Sequence, residues 1–216
     1  MAGGTMNKAS PALLILPLLA LLGGCQPGAG SDADNGAQGE LVGARIGAPF
    51  TLTDQDGKSV RWDDFAGKYR IVYFGYTYCP DVCPMDLQRI MQAFGRFEKE
   101  KPVLAAKLQP IFISIDPERD VPAVLKPYVA AFSPRLIGLT GTPAQIGRVA
   151  KDFAVMYHRE EAKGGAGYMV SHSRTPYLFG PDGKPIALVP VDDPGTPGVD
   201  EGGPDAVLAA LEKWVK

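Results

Sequence analysis

The sequence has no surplus of positive charge: 22 Lys+Arg face 24 Asp+Glu, a formal net charge of -2. That excludes the basic field with which a protein grips nucleic-acid phosphates. No polybasic run is present either, so a lipid-headgroup patch is excluded. No internal repeat appears, which removes solenoid and array architectures. The methionines form no spaced cluster; Met85 and Met91 fall among apolar positions of a helical pattern and are expected in the core. Histidine is confined to His158 and His172, and cysteine to Cys25, Cys79 and Cys83. Any chemistry these residue types supply rests on very few positions.

The longest apolar run, residues 11–22, is too short to cross a bilayer of about 30 Å comfortably as a permanent helix. It follows a single charge, Lys8, and ends in Leu22-Gly23-Gly24-Cys25. A short positive start, an apolar stretch and small residues at a cleavage point form an export signal. Small residues followed directly by Cys resemble a bacterial lipobox, which implies that Cys25 becomes the lipidated first residue. Residues 1–24 are then a lipoprotein signal peptide. Residues 25–44, rich in Gly, Ala, Asp and Ser, are a lipid-anchored flexible tether, and residues 45–216 are the globular domain. The expected location is the bacterial cell envelope, with the domain facing the periplasm or exterior.

The domain pattern alternates strands and helices. Residues 50–53 and 60–62 flank an Asp56-Gly57 hairpin signal. Residues 71–76 and 111–115 are short β-branched and aromatic runs, read as buried central strands. Helices are expected after Cys83, over 121–132, over 143–153 and over 204–215, and a late hairpin joins 177–179 to 186–189. Such alternation defines an α/β domain with parallel strands, and the hairpins make its sheet mixed.

The segment with chemistry is Tyr76-Thr77-Tyr78-Cys79-Pro80-Asp81-Val82-Cys83-Pro84. It follows a buried strand and opens a helix. Two cysteines four apart share one helical face, so their sulfurs converge on one ion or on each other. A helix N-terminus favours thiolate, and thiolates are ligands that Cu(I) prefers. Three readings stand open for the pair. A structural disulfide would close a tiny loop and restrain the unfolded chain little. A metal-free redox dithiol is the second, although thioredoxin-type motifs have two intervening residues and this one has three. A metal site is the third. Asp81 is either a solvated or capping residue at the helix start or a carboxylate near the site or on a docking face, and Asp116, Arg119 and Asp120 are explained by local ion pairing.

The segment resembles the Sco/SenC family of copper metallochaperones, which carry C-P-x-x-C-P after a buried strand. Asp116-Pro117-Glu118-Arg119-Asp120 is similar to that family's D-P-x-R-D segment. His172, in Tyr168-Met169-Val170-Ser171-His172-Ser173, matches its copper-binding histidine, and Phe179-Gly180-Pro181-Asp182-Gly183 matches the strand and turn that follow. The likeness covers residues 41–216. It implies a thioredoxin-like fold, with a mixed central sheet flanked by helices, and one copper per chain, Cu(I) or Cu(II), held by Cys79, Cys83 and His172. It also implies delivery to the CuA-bearing subunit of cytochrome c oxidase, or exchange with another copper carrier. Cys79 and Cys83 would double as a redox disulfide. The implied protein is a carrier; the alternative is an exported thiol–disulfide oxidoreductase that uses the pair without metal, and a peroxiredoxin-like enzyme fits less well. Many relatives have Asp just before the histidine, where this chain has Ser171. His158 is read as structural or exposed. Thr175-Pro176 is expected to be a cis bond beside Cys79.

Overall fold

The computed structural model describes residues 1, 39–161, 167–193, 195–196 and 198–216. The expected leader beyond Met1, the lipidation site Cys25 and the tether as far as Gln38 lie outside the described residues. The chain divides into two compact units, Met1–Asp32 and Ala33–Lys216; the fold below is that of the second. Among the described residues no helix is long and apolar enough to cross a membrane.

Three parallel strands form the centre: β3 (Tyr69–Gly75), β4 (Leu108–Ser114) and β5 (Ile137–Thr140). Every residue of β3 and β4 is buried. This is why each contains a continuous apolar run, Ile71 to Phe74 and Ile111 to Ile113, rather than an alternation. The hairpin of β1 (Thr51–Asp54) and β2 (Ser59–Arg61) extends the sheet antiparallel beyond β5. β8 (Tyr177–Phe179) and β9 (Pro185–Leu188) extend it antiparallel beyond β3. The seven-stranded order is β2-β1-β5-β4-β3-β8-β9. β6 (Tyr157–Glu161) and β7 (Tyr168–His172) form a separate two-stranded hairpin.

The helices of ten or more residues are α1 (Val82–Glu100), α2 (Pro122–Phe132), α3 (Pro143–Asp152) and α4 (Pro204–Trp214). Three of them start on proline, whose fixed φ suits the first turn and whose missing N–H goes unneeded there. Thr142 and Gln145 add a capping box to α3. α1 buries Leu87, Ile90, Met91, Phe94 and Phe97 at intervals of three and four, and packs against α4. Phe153 sits among the rings of Phe50, Trp62, Phe74 and Phe179.

Three expectations need correction. Residues 39–44, assigned to the tether, pack on the sheet edge: the Leu41 amide donates to the Ile186 carbonyl at 3.0 Å, and the Leu188 amide donates to Glu40 Oε1 at 2.8 Å. Met85 is 42% exposed, because its position on α1 falls outside the stripe that buries Met91. No described peptide bond is cis, so Thr175-Pro176 is trans. Pro176 is buried at the entry to β8, and its carbonyl accepts from the Val189 amide at 2.9 Å. A proline there removes no donor the ladder needs, so the trans form fits an already extended chain.

Candidate metal centre

The site begins where β3 ends. Gly75 closes the strand, and a Cβ there would stand 3.3 Å from Cys83 Sγ and 2.9 Å from the Phe112 ring. Glycine therefore lets the sulfur lie against the backbone. The next residues turn over Tyr76, with the Cys79 amide donating to the Tyr76 carbonyl at 3.2 Å. Asp120 holds the turn from below: it accepts from the Thr77 amide at 2.9 Å, from Thr77 Oγ1 at 2.5 Å and from Ser114 Oγ at 2.5 Å. Burial pushes the Asp120 carboxyl above its ordinary range, and these three bonds oppose that. Asp81 precedes α1 without a side-chain capping bond, so it does not act as a cap.

Cys79 and Cys83 are buried and both thiols are free. The Cys83 amide, in the first turn of α1, donates to Cys79 Sγ at 3.4 Å. The Cys79 thiol is lowered to about 4, chiefly by a hydrogen bond from Cys83, with burial opposing and with His172 and the amides of Asp81 and Cys83 assisting. Cys83 is pushed up, chiefly by donating to Cys79 and then by its burial. The charge of the pair therefore belongs on Cys79 and the proton on Cys83.

His172 reaches this pair from the end of β7. Its Nε2 lies 3.2 Å from Cys83 Sγ, and its Nδ1 lies 2.9 Å from the Ser173 carbonyl. A carbonyl only accepts, so Nδ1 carries a hydrogen, and Nε2 is the ring nitrogen that faces the cysteine pair. The backbone thus orients the imidazole, through the Ser173 carbonyl.

The hairpin that carries His172 is fastened by the Asp116–Arg119 segment. Arg119 Nη1 donates to the Tyr168 carbonyl at 3.0 Å, and Tyr168 OH donates to Asp116 at 2.7 Å. The Tyr168 ring lies between two guanidiniums, Arg119 at 3.7 Å and Arg159 at 3.5 Å. Arg119 also pairs with Asp116. Local ion pairing is thus only part of what this segment does.

A second connection was not foreseen. Asp86, one helical turn beyond Cys83 and almost wholly buried, accepts from Tyr73 OH at 2.9 Å and from Arg174 at 2.7 and 3.1 Å. Arg174 lies two residues beyond His172, so this forked pair ties the cysteine helix to the histidine loop. The available signal was an aspartate inside the apolar stripe of α1, where an unpaired carboxylate would be costly.

Two thiolates and an imidazole are a soft donor set suited to copper. Among the described residues no three His, Cys, Asp or Glu side chains stand in a preformed metal cluster, so the donors must adjust to share an ion. Cys83 Sγ and His172 Nε2 already stand 3.2 Å apart, and Cys79 Sγ lies 3.4 Å from the Cys83 amide, so these three residues would hold the ion. An open depression lined by Cys79, Pro80, Asp81, Met169 and His172 gives access.

A buried strand, a dithiol turn entering a helix and a distant histidine define a thioredoxin-like domain with a soft-metal or redox centre. The thioredoxin domain of a thiol-disulfide oxidoreductase from Bacteroides vulgatus shares the fold, at TM-score 0.53 and 18% identity over 79% of this chain and 96% of that one. The family model described as SCO1/SenC matches residues 38–200, and the chain belongs to that family. Protein SCO1 homolog, mitochondrial, of Homo sapiens is 40% identical over 139 residues, 64% of this chain and 46% of that protein. An SCO2-like protein of Rickettsia felis is 40% identical over 141 residues, 65% of this chain and 67% of its own. The structure of Bradyrhizobium japonicum ScoI with copper bound superposes at TM-score 0.67 and 37% identity, over 78% of this chain and 99% of that one. BsSco, described with a disulfide switch as a member of the Sco family of cytochrome c oxidase assembly proteins, superposes at 0.56 with 26% identity, over 78% of this chain and 94% of that one. The chain spans about half the length of the first curated relatives it matches: 46%, 40% and 46% for the human, Arabidopsis thaliana and Saccharomyces cerevisiae proteins.

Proposed function

We propose that this protein is a copper metallochaperone of the cell envelope. It binds one copper, as Cu(I) or Cu(II), through Cys79, Cys83 and His172. It delivers the ion to the CuA-bearing subunit of cytochrome c oxidase or to another copper carrier. The observation that carries this reading is the approach of His172 Nε2 to Cys83 Sγ at 3.2 Å, from 89 residues away in the chain. A dithiol reductase has no need of that nitrogen, whereas a metal site does. Transfer would proceed by ligand exchange, and joining the two thiols in a disulfide would remove two ligands, so redox state gates metal capacity. Lipidation of Cys25 would hold the protein to a membrane.

One observation favours the second reading. The Cys83 amide donates to Cys79 Sγ, and hydrogen bonding from Cys83 lowers the Cys79 thiol, which suits attack on a partner's disulfide. Two thiols here would become a disulfide while the partner's disulfide becomes two thiols, with two electrons and two protons passing across. Mixing the copper-loaded protein with a CuA-bearing domain separates the roles. A chaperone loses copper to a partner whose cysteines are already reduced. A reductase acts only on the oxidised partner, and does so equally well without copper. Failure of the reduced protein to take up one copper, or full uptake by the Cys79→Ser, Cys83→Ser variant, would refute the chaperone reading.

A further inference from the structure

We infer that the outer face of the β6–β7 hairpin carries a second and weaker copper site, formed by Met169, His158 and Glu160, from which the ion passes to Cys79, Cys83 and His172. The inference rests on the copper reading above. Its basis is strand register. Glu160 lies opposite Met169, and His158 lies opposite Ser171. Opposed residues share a face, and alternate residues along a strand do too. Met169, Ser171, His158 and Glu160 therefore stand on one side of the hairpin, while His172 and Val170 stand on the other. Directly opposed Cβ atoms are about 5 Å apart and diagonal neighbours about 7–8 Å. Met169 is thus within side-chain reach of both Glu160 and His158.

Two of the three donors already meet: His158 Nε2 is 2.7 Å from Glu160 Oε1. All three side chains are open to solvent, Met169 being 39% exposed. A single exposed methionine is ordinary surface. This one differs because it faces an imidazole and a carboxylate, and because Met169 and Glu160 also border the depression that opens onto Cys79 and His172.

The donor chemistry sets the direction of travel. A thioether selects Cu(I), an imidazole accepts either oxidation state, and the carboxylate adds charge. One thioether and one imidazole hold Cu(I) less tightly than two thiolates, so copper moves downhill into the cysteine site. In that step the bonds from copper to Met169 sulfur, His158 nitrogen and Glu160 oxygen break as bonds to the two cysteine sulfurs form. The Cys83 proton leaves to solvent and the copper oxidation state does not change. Met169 and Ser171 from one side of the hairpin and His172 from the other line the same open depression, which is the route between the two sites.

The test uses the full chain with its three cysteines replaced (C25S, C79S, C83S), carrying carbon-13 in the methionine methyls and titrated with Ag(I) as a redox-inert stand-in for Cu(I). The Met169 methyl and the His158 ring signals should shift together and saturate at one silver, with the Met85 and Met156 methyls unmoved at that point. Adding H158Q and M169L should abolish the shift. With the cysteines intact, the H158Q/M169L variant should load copper from a chelated donor about tenfold more slowly and reach the same final stoichiometry. Absence of a saturable Met169 shift, equal shifts at Met85 and Met156, or an unchanged loading rate would overturn the inference. Failure of the intact protein to hold copper would instead strike the proposed function, since the silver titration contains no cysteine.

Discussion

Cys83 and His172 are 89 residues apart in the chain, and their side chains meet at 3.2 Å. The contact joins the first turn of α1 to the last residue of β7. Two features outside the pair maintain it. Arg119 and Tyr168 dock the hairpin, and Asp86 with Arg174 straps its far end to the helix.

His172→Ala should weaken Cu(II) more than Cu(I), because two thiolates alone hold Cu(I) in a linear arrangement. Cupric wild-type protein should show an intense sulfur-to-copper charge-transfer band. The variant should lose much of that intensity while still retaining Cu(I) against a competing chelator. Equal Cu(II) affinity in the two proteins would remove His172 from the ligand set.

Much of this was legible in the sequence. Buried parallel strands announce themselves because both faces are covered, so β3 and β4 needed no periodicity argument. The two cysteines declared their convergence by spacing, but not a shared helical face: Cys79 lies in the turn before α1 and only Cys83 is on the helix. His172 was legible only through family likeness, since nothing local distinguishes it from His158. The strap was not legible: Asp86 is informative only when its partner is known, and Arg174 lies 88 residues away. The expected cis proline failed because β8–β9 pairing fixes the chain beyond Pro176, and a trans bond enters that strand without losing a donor.

Gly75→Ala should disturb the site more than the fold. Its methyl group would press on Cys83 Sγ and on the Phe112 and Tyr73 rings. Overpacking of this kind costs about 1–3 kcal/mol. Copper affinity should fall along with stability, and a thermal melt beside a copper competition assay would show both. A variant that melts lower yet binds copper normally would mean the sulfur moves aside freely.

Arg174→Ala removes one side of a forked ion pair and leaves Asp86 buried with Tyr73 OH as its remaining partner. Breaking a buried pair from one side costs about 3 kcal/mol at the low end. For a domain of this size that lowers the melting temperature by about 6–12 °C. Replacing both residues, Arg174→Ala with Asp86→Leu, should recover part of the loss, because the stranded charge is gone. If the double variant is the sum of the singles, the strap is not a coupled unit.

Cys25→Ala tests the anchor, which lies outside the described residues. Protein made in a bacterial host should enter the detergent phase on phase separation, and the variant should be released or stall in processing. Acyl chains contribute about 0.8 kcal/mol per buried CH₂, so several of them hold firmly. Wild-type protein that stays in the aqueous phase with an unmodified N-terminus would remove the lipid anchor.

The split of charge between the two cysteines sets a pH signature. Cys79 is lowered to about 4 by the hydrogen bond from Cys83, while Cys83 is raised. An ordinary thiol near 8.5 loses about tenfold in thiolate for each pH unit below that value. Alkylation of Cys79 in the reduced, metal-free protein should instead stay nearly constant from about pH 8 to about pH 5, then fall toward pH 4. Cys79 lines the open depression, whereas Cys83 is wholly buried and should remain unmodified throughout. A group depressed on folding stabilises the fold fully above its unfolded value and loses that contribution as pH falls through the folded one. The stability advantage of reduced wild type over Cys79→Ser should therefore grow from about pH 4 toward pH 9. The upward shift of Cys83 acts only above its unfolded value and does not enter this window. His172 contributes to the depression, so His172→Ala should move the alkylation midpoint upward. Metal uptake reports the same charge: with Cys79 already ionised, Cu(I) binding at pH 7 should release about one proton, that of Cys83. Calorimetry in two buffers of different ionisation enthalpy counts that proton. Release of two, together with an alkylation midpoint between pH 8 and 9, would mean that neither sulfur is ionised before the metal arrives.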